Sequence, residues 1–528
     1  MHNRLLLALS LSFLSADVGV AFAQDGGKVI IGRTSDADRY DPHRSSALAA
    51  AEILYMIGDT LVTLDYDLQT IKPALAKSWD VSDDGLTYTF DLRDDVTYCN
   101  GKAFTAQDVV GSMERWLTPD GPYVSAWKAG QVESVTADGE HTVVYKLKEP
   151  SSGLLYQMAQ FNFVIIDPDQ AKELGEDFGV TAFNGTGPFC FESWQPRDQV
   201  VLKRHEGYAW GAEHLPTQGP AKVSEIVWKI VPEEATLTAA IGSGEIDASY
   251  SVAAWSLPQL ESNPDIKLLR PDASFRTHYI GMKITRPNMQ DRAVRLAVSH
   301  AIDQTAIAEG IFMGTSEAAN SYYSPKALDY SPETDTSLFE YDPAKAEAVL
   351  TEAGWTKGGD GIFAKDGQKL SLVLYGFTTA ASRQSAEAIQ SDLRKVGIEL
   401  AVELFDNTAI WGKLREQTYD LYQMDYPYLN AGDALNLYFL SESVPSPNRM
   451  MWQSEETDAL IAAGNKAKND AERAKAFQDA GQILHEAVLW KPLIDENLVV
   501  VAGSRLKEFK PAGISGAGFG NGLMLELE

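Results

Sequence analysis

Cysteine is nearly missing from this sequence: Cys99 and Cys190 are the only two in 528 residues. That excludes metal centres built on clustered thiolates, which need tighter groups of cysteines. Common catalytic motifs are missing too. There is no G-x-S-x-G elbow, no H-E-x-x-H and no Walker loop. The 8 histidines are scattered, and a Ser-His-Asp triad is set by geometry rather than spacing, so its presence is not decided at this level. After the first two dozen residues no apolar run is long enough to cross a bilayer. Positive charge is also short, 45 Lys and Arg against 74 Asp and Glu, for a net charge of -29. Such a surface argues against nucleic acid and anionic membranes as partners. It says little about a ligand in a cleft, whose local sign can differ from that of the whole.

What is present begins with a leader. Arg4, an apolar run from residue 5 to 14 and the small-residue pattern Ala21-Phe22-Ala23 before Gln24 predict a secretory signal peptide over residues 1–23, cleaved between Ala23 and Gln24. No cysteine lies near that point for lipid attachment, so the expected product is a soluble protein of the periplasm. The roughly 505 residues that remain exceed what one core organises, so two or three lobes are expected.

The most informative stretch runs from Trp79 to Trp116. Leu86, Tyr88, Phe90 and Leu92 alternate with polar residues, the period of a half-buried strand. Asp83-Asp84-Gly85 forms the turn before it, with Trp79 and Val81 starting an antiparallel partner. After a second turn at Asn100-Gly101, Thr105 and Asp108 have the spacing of a capping box, opening a helix that carries Val109, Val110, Met113 and Trp116 inward. The ordered wording A-K-S-W, D-G-L-T-Y-T-F-D-L-R, N-G-K-A-F-T-A-Q-D-V-V resembles the peptide- and nickel-type substrate-binding proteins of bacterial ABC importers, solute-binding protein family 5.

The resemblance continues along the chain. Tyr40-Asp41-Pro42-His43 is similar to the family's turn near the cleft, and Gly185-Thr186-Gly187-Pro188-Phe189 and Gly244-Glu245-Ile246-Asp247 match later motifs. Residues 369–404 read independently as strand, helix and parallel return strand, with Leu370, Leu372 and Leu374, then Ala386, Ile389, Leu393 and Val396, then Ile398, Leu400, Val402 and Leu404 inward. The resemblance implies an α/β fold of the periplasmic binding protein type II kind: two hinged α/β lobes, with an extra subdomain on the first. Lobe I would comprise 24–70, 185–274 and 497–528, the extra subdomain 71–184 and lobe II 275–496. It also puts Cys99 and Cys190 in the same half of the fold. In an oxidising compartment they either pair or stay as buried free thiols.

A binder needs groups that hold its ligand only when both lobes touch it. Arg383 stands in the first turn of a helix just past the end of a parallel strand, where open α/β sheets bind ligands and helix N-termini attract anions. It also falls where dipeptide-binding relatives carry an arginine for the peptide carboxylate, a bidentate partner. For the ammonium, relatives use an aspartate after a glycine-tryptophan pair. Here Leu429 takes that position and Asp425-Tyr426 replaces the pair. Asp433 after a small shift, Asp425 from another angle, or a ligand without a free α-amine are the three alternatives, because a buried unpaired ammonium is costly. Tyr426, Tyr428 and Trp411 are candidate walls, with Ser249 and Tyr250 from the other lobe and Tyr279 near the expected hinge. The resemblance implies a monomeric, non-enzymatic receptor without cofactor or metal. It would capture a peptide or peptide-like solute and deliver it to a membrane permease with separate ATPase subunits. A receptor for a metal chelate, an oligosaccharide or an opine-like compound, and a secreted hydrolase, are the rival readings.

Overall fold

A computed structural model describes residues 26–119, 121–313, 315–406, 409–514 and 517–528. The expected signal peptide and its cleavage point lie outside them. Two sheets organise the chain. The first has seven strands in the order Ile266–Leu269, Val500–Gly503, Ala248–Ser249, Lys28–Arg33, Glu225–Ile230, Gln199–Arg204, Phe189–Gln195. Lys28–Arg33 lies parallel to both of its neighbours, Val29 opposite Ile226 and Ile31 opposite Ala248. Its inward residues Val29 and Ile31 are fully buried, as a strand covered on both faces requires.

The second sheet has six strands in the order Glu317–Ala318, Trp490–Asp495, Arg276–Met282, Leu421–Pro427, Ser371–Phe377, Glu399–Phe405. Ser371–Phe377 and Glu399–Phe405 pair in parallel through the 16-residue helix Ala380–Lys395. The apolar period read from the sequence sets that packing: Leu372, Leu374, Ala386, Ile389, Leu393 and Ile398 are all fully buried.

A four-stranded antiparallel sheet, Ala76–Val81, Thr87–Leu92, Thr142–Leu147, Val132–Ala137, carries the inserted subdomain. Tyr88, Phe90 and Leu92 face its core, while Leu86 stays in the turn, half-buried, one residue before the strand starts. The helix Ala106–Trp116 covers the sheet with Val109, Met113 and Trp116. Its start is capped as the spacing implies, the Asp108 carboxylate accepting the Thr105 N–H at 2.9 Å.

A neck of covalent and hydrogen-bond links ties the insertion to the first lobe. There Cys99 and Cys190 form a disulfide, S–S 2.01 Å, across 91 positions. Beside it the Cys99 N–H donates to the Gly185 carbonyl at 2.9 Å. The G-T-G-P motif belongs to this neck: a Cβ on Gly185 would lie 1.8 Å from the Ile57 carbonyl oxygen, so only glycine lets the two backbones pass. Asp41 of the Tyr40–His43 turn also serves the insertion, accepting two hydrogen bonds from Arg115 at 3.0 and 2.5 Å.

The chain crosses between the two large sheets twice, between Leu269 and Arg276 and between Asp495 and Val500. The insertion adds a third meeting of the halves: Ser152 Oγ donates to the Gly464 carbonyl at 2.7 Å, and Gln157 Nε2 to Asp433 Oδ1 at 2.8 Å.

Candidate functional site

Between the two sheets, against the crossing strands, lies a cavity of about 620 Å³. Its first-lobe wall is the segment after Ala248–Ser249, with Tyr250, Val252 and Trp255, together with Glu234 at the start of the helix Glu234–Gly242. Its second-lobe wall is the start of the Ala380–Lys395 helix at Thr379 to Ser382, with Phe312, Phe377 and Trp411 beside it. The back is charged: Arg276, His278, Asp425 and Glu496 all open onto it.

That charged group is assembled from two paired strands and the residue just past a third, Arg276 lying opposite Pro427 and Thr277 opposite Asp495, with Glu496 following Trp490–Asp495. Arg276 Nε contacts Asp425 Oδ2 at 2.7 Å and Glu496 Oε2 at 3.5 Å. His278 Nε2 shares Glu496 Oε2 at 2.6 Å, the ring donating to the carboxylate. Burial pushes Glu496 up, but the Arg276 charge and His278 outweigh it and hold the carboxyl down at about 2. Burial opposes the Arg276 charge, and Glu496 and Asp425 together raise its pKa above the usual arginine value.

Tyr250 is fixed from behind. Its hydroxyl donates to the buried Glu52 carboxylate. Glu52 accepts from Arg33 Nη1 at 3.0 Å, and Arg33 Nη2 donates to Asp36 and to the Tyr40 hydroxyl, each at 2.8 Å. Burial drives Glu52 up, opposed by Arg33 and by the Tyr250 hydroxyl. Trp411 is 42% exposed, edge-on to Phe377 and under the Arg449 guanidinium at 5.3 Å. Trp255 is 52% exposed.

The residues singled out from sequence separate into two groups. Tyr250, Trp411 and Asp425 line the cavity. Arg383 occupies the first turn of its helix, exposed, its side chain without a hydrogen-bond or ion-pair partner among the described residues, next to the lining residues Ser382 and Gln384. The others lie elsewhere. Ser249 is fully buried, its Oγ accepting the Ser251 N–H at 2.9 Å. Tyr279 is in the middle of its strand rather than at a hinge, fully buried and stacked on Trp490 with centroids 3.7 Å apart. Tyr426 follows Asp425 on a strand and so turns to the opposite face, stacked on Tyr428 and edge-on to Tyr438. Asp433 is buried on that same side. It accepts from the Leu429 N–H and from Gln157 Nε2, both at 2.8 Å. Burial pushes its pKa up, and these donors and the nearby Lys128 pull it back. Lys128 itself donates to Gln160 Oε1 at 2.6 Å and Asn162 Oδ1 at 3.0 Å, and burial lowers it to about 8.

Arg276, His278, Glu496 and Trp255 were not found from sequence. The signal was there for two of them: Arg276 and His278 are charged or ionisable residues two apart in an otherwise apolar strand, hence on one face. Cys99, Cys190 and His205 also cluster, but both sulfurs are spent in the disulfide and leave no thiolate for a metal.

The arrangement is that of a walled pocket with a charged back, suited to holding a zwitterionic solute. The sequence matches the model of the bacterial extracellular solute-binding proteins, family 5, over residues 70–445. It is 27% identical to the glutathione-binding protein GsiB of Salmonella paratyphi A, over 96% of each chain. Its fold is similar to that of NikA from Brucella suis in complex with Fe(III)-EDTA, TM-score 0.83 at 25% identity, covering 95% of this chain and 100% of that one. It is also similar to that of the periplasmic binding protein DppA from Helicobacter pylori in complex with the peptide STSA, TM-score 0.79 at 24% identity, covering 95% and 98%.

Proposed function

We propose, for a chain that belongs to the family 5 bacterial extracellular solute-binding proteins, that it captures a peptide or peptide-like solute between its two lobes and delivers it to the permease of an ABC importer. The observation that carries this reading is the cavity of about 620 Å³ walled by both sheets and closed behind by the crossing strands. Its volume falls within the roughly 300–1,000 Å³ typical of small-molecule sites. A ligand there touches both lobes, so it binds the closed arrangement better than the open one and shifts the population towards closure.

In this reading the lobes are 24–70 with 185–274 and 497–528, and 275–496, with 71–184 as the insertion. The protein acts as a monomer in the periplasm after loss of residues 1–23, with the ATPase on separate chains, and does no chemistry on its guest. A ligand carboxylate sits at the start of the Ala380–Lys395 helix, whose N-cap Thr379 makes no side-chain cap. The first-turn N–H groups attract an anion there, and Arg383 reaches it from the rim. The likeness to a protein holding Fe(III)-EDTA favours a chelate as the second reading, since that ligand is also a polycarboxylate.

The test is calorimetric titration with reduced glutathione, a panel of di- and tripeptides, and Fe(III)-EDTA, with small-angle scattering to follow closure. Heat and compaction with a peptide support the first reading; with the chelate alone, the second. Arg383→Ala should weaken a carboxylate ligand by about 1.5–3 kcal/mol, the range for a hydrogen bond to a charged group. Unchanged affinity removes Arg383 from the site.

A further inference from the structure

We infer that the charged group at the back of the cavity binds an α-amino-acid head, an ammonium and a carboxylate carried on one carbon, so that the preferred solutes are γ-linked or otherwise carry such a head rather than being ordinary α-linked peptides. This rests on the receptor reading and names the ligand class of the same cavity.

Arg276 uses Nε towards Asp425 Oδ2 and Glu496 Oε2. Its two Nη nitrogens have no hydrogen-bond partner among the described residues, and the side chain is 36% exposed in a residue that lines the cavity. Asp425 and Glu496 each commit one oxygen, Oδ2 and Oε2, to Arg276 and His278. Oδ1 and Oε1 have no partner among the described residues. A guanidinium edge with two parallel donors and two unengaged carboxylate oxygens thus belong to three residues that line one cavity. The first fits a carboxylate in bidentate fashion. The second fits an ammonium.

The carboxylate and ammonium sites belong to groups already in contact, so they accept opposite charges only a few atoms apart. An α-linked tripeptide presents its terminal charges at the ends of a chain that extends up to about 10 Å. A γ-glutamyl compound keeps both on one carbon. It also has a second carboxylate at its far end, for which the uncapped start of the Ala380–Lys395 helix is available. The pre-existing pairing matters energetically. Arg276 is oriented by Asp425 and Glu496 before the ligand arrives, so little ordering is left to be done on binding.

The experiment compares two isomers of identical composition and charge, reduced glutathione (γ-Glu-Cys-Gly) and α-Glu-Cys-Gly, by isothermal titration on the full mature chain. The expected result is at least tenfold tighter binding of the γ-isomer. In Arg276→Lys and Asp425→Asn, with thermal melts verifying that each variant is folded, that preference should fall to within about twofold. Equal or tighter binding of the α-isomer overturns the inference, as does a preference that survives both substitutions. If neither isomer binds while other α-linked peptides do, the head-group inference fails and the receptor reading stands. If no peptide binds at all, the inference and the peptide reading both fall.

Discussion

Replacing both Cys99 and Cys190 by serine should destabilise the first lobe strongly while leaving the binding cavity intact. The cross-link closes a loop of 91 residues, from within the insertion to the first-lobe strand Phe189–Gln195. In the chain-entropy view, forbidding the open forms of a loop this long in the unfolded state stabilises by about 4.6 kcal/mol at 25 °C. The neck does not depend on the sulfurs alone. The Cys99 N–H to Gly185 carbonyl bond at 2.9 Å and the Asn100 N–H to Asn184 Oδ1 bond at 3.1 Å remain in the variant, so the folded geometry should persist. The loss therefore falls on the unfolded side of the balance. With an m-value near 3 kcal/mol/M, at the upper end of the small-protein range in urea, the midpoint should drop by roughly 1.5 M. The assay is urea unfolding under non-reducing conditions, with hydrogen exchange to separate the lobes, and ligand titration on the folded variant. A midpoint shift below about 0.3 M would show that the insertion's unfolded ensemble is already held compact. Altered affinity would show that the neck shapes the cavity.

Three further outcomes are expected. Gly185→Ala places a Cβ 1.8 Å from the Ile57 carbonyl and should cost about 3 kcal/mol in urea unfolding, since backbone on both sides has no room to yield. Glu52→Gln leaves the buried Arg33 short of a counter-charge and should cost about 3 kcal/mol, with ligand affinity down about tenfold because the Tyr250 hydroxyl loses the charged acceptor that fixes it; equal affinity would separate that network from binding. His485 is buried, donating through Nδ1 to the Gly481 carbonyl and accepting the Tyr322 N–H at Nε2, and burial holds it down at about 4. Between pH 6.5 and 4 the unfolded chain binds this proton and the folded one does not, so stability falls with pH across that window, by about 3 kcal/mol at its lower end. Urea midpoints at pH 7 and 4.5 should therefore differ more for the natural protein than for His485→Gln.

How much of this was legible in the sequence depends on the distance over which each feature is specified. The strand, helix and return strand over 371–405 were readable because the apolar period is local and unbroken from Leu372 to Leu404. The capping box at Thr105 and Asp108 was readable because two residues three positions apart carry it. The charged back of the cavity was not, because Arg276 and Glu496 stand 220 positions apart and meet only where the two crossing strands enter one sheet. Strand phase was visible and strand facing was not: the alternation through Leu421–Pro427 separates Asp425 from Tyr426, but only the packing of the second lobe decides that Asp425 is the one turned towards the cavity. Ser249 shows the same ambiguity, next to a lining tyrosine yet buried, its Oγ turned to the Ser251 N–H.

The stretch from Asp425 to Asp433 departs from the glycine-tryptophan pattern of peptide-binding relatives, and the structure supplies a physical reason to read the departure as a change of task. Asp433 spends one oxygen on Gln157 Nε2 and the other on the Leu429 N–H, so it ties the insertion to the second lobe and fixes the chain leading into its own helix. A ligand ammonium arriving there would have to displace a bond between the halves, undoing part of the closure it is meant to favour. Asp425 has the opposite situation. One oxygen is held by Arg276 and the other has no hydrogen-bond partner among the described residues, in a residue that opens onto the cavity. An ammonium adds to that cluster without breaking anything. Asp433→Asn should therefore loosen closure as seen by scattering yet leave the γ-over-α preference unchanged, whereas Asp425→Asn should abolish the preference and leave closure of the empty protein as it was. Finding those two phenotypes exchanged would return the ammonium to Asp433.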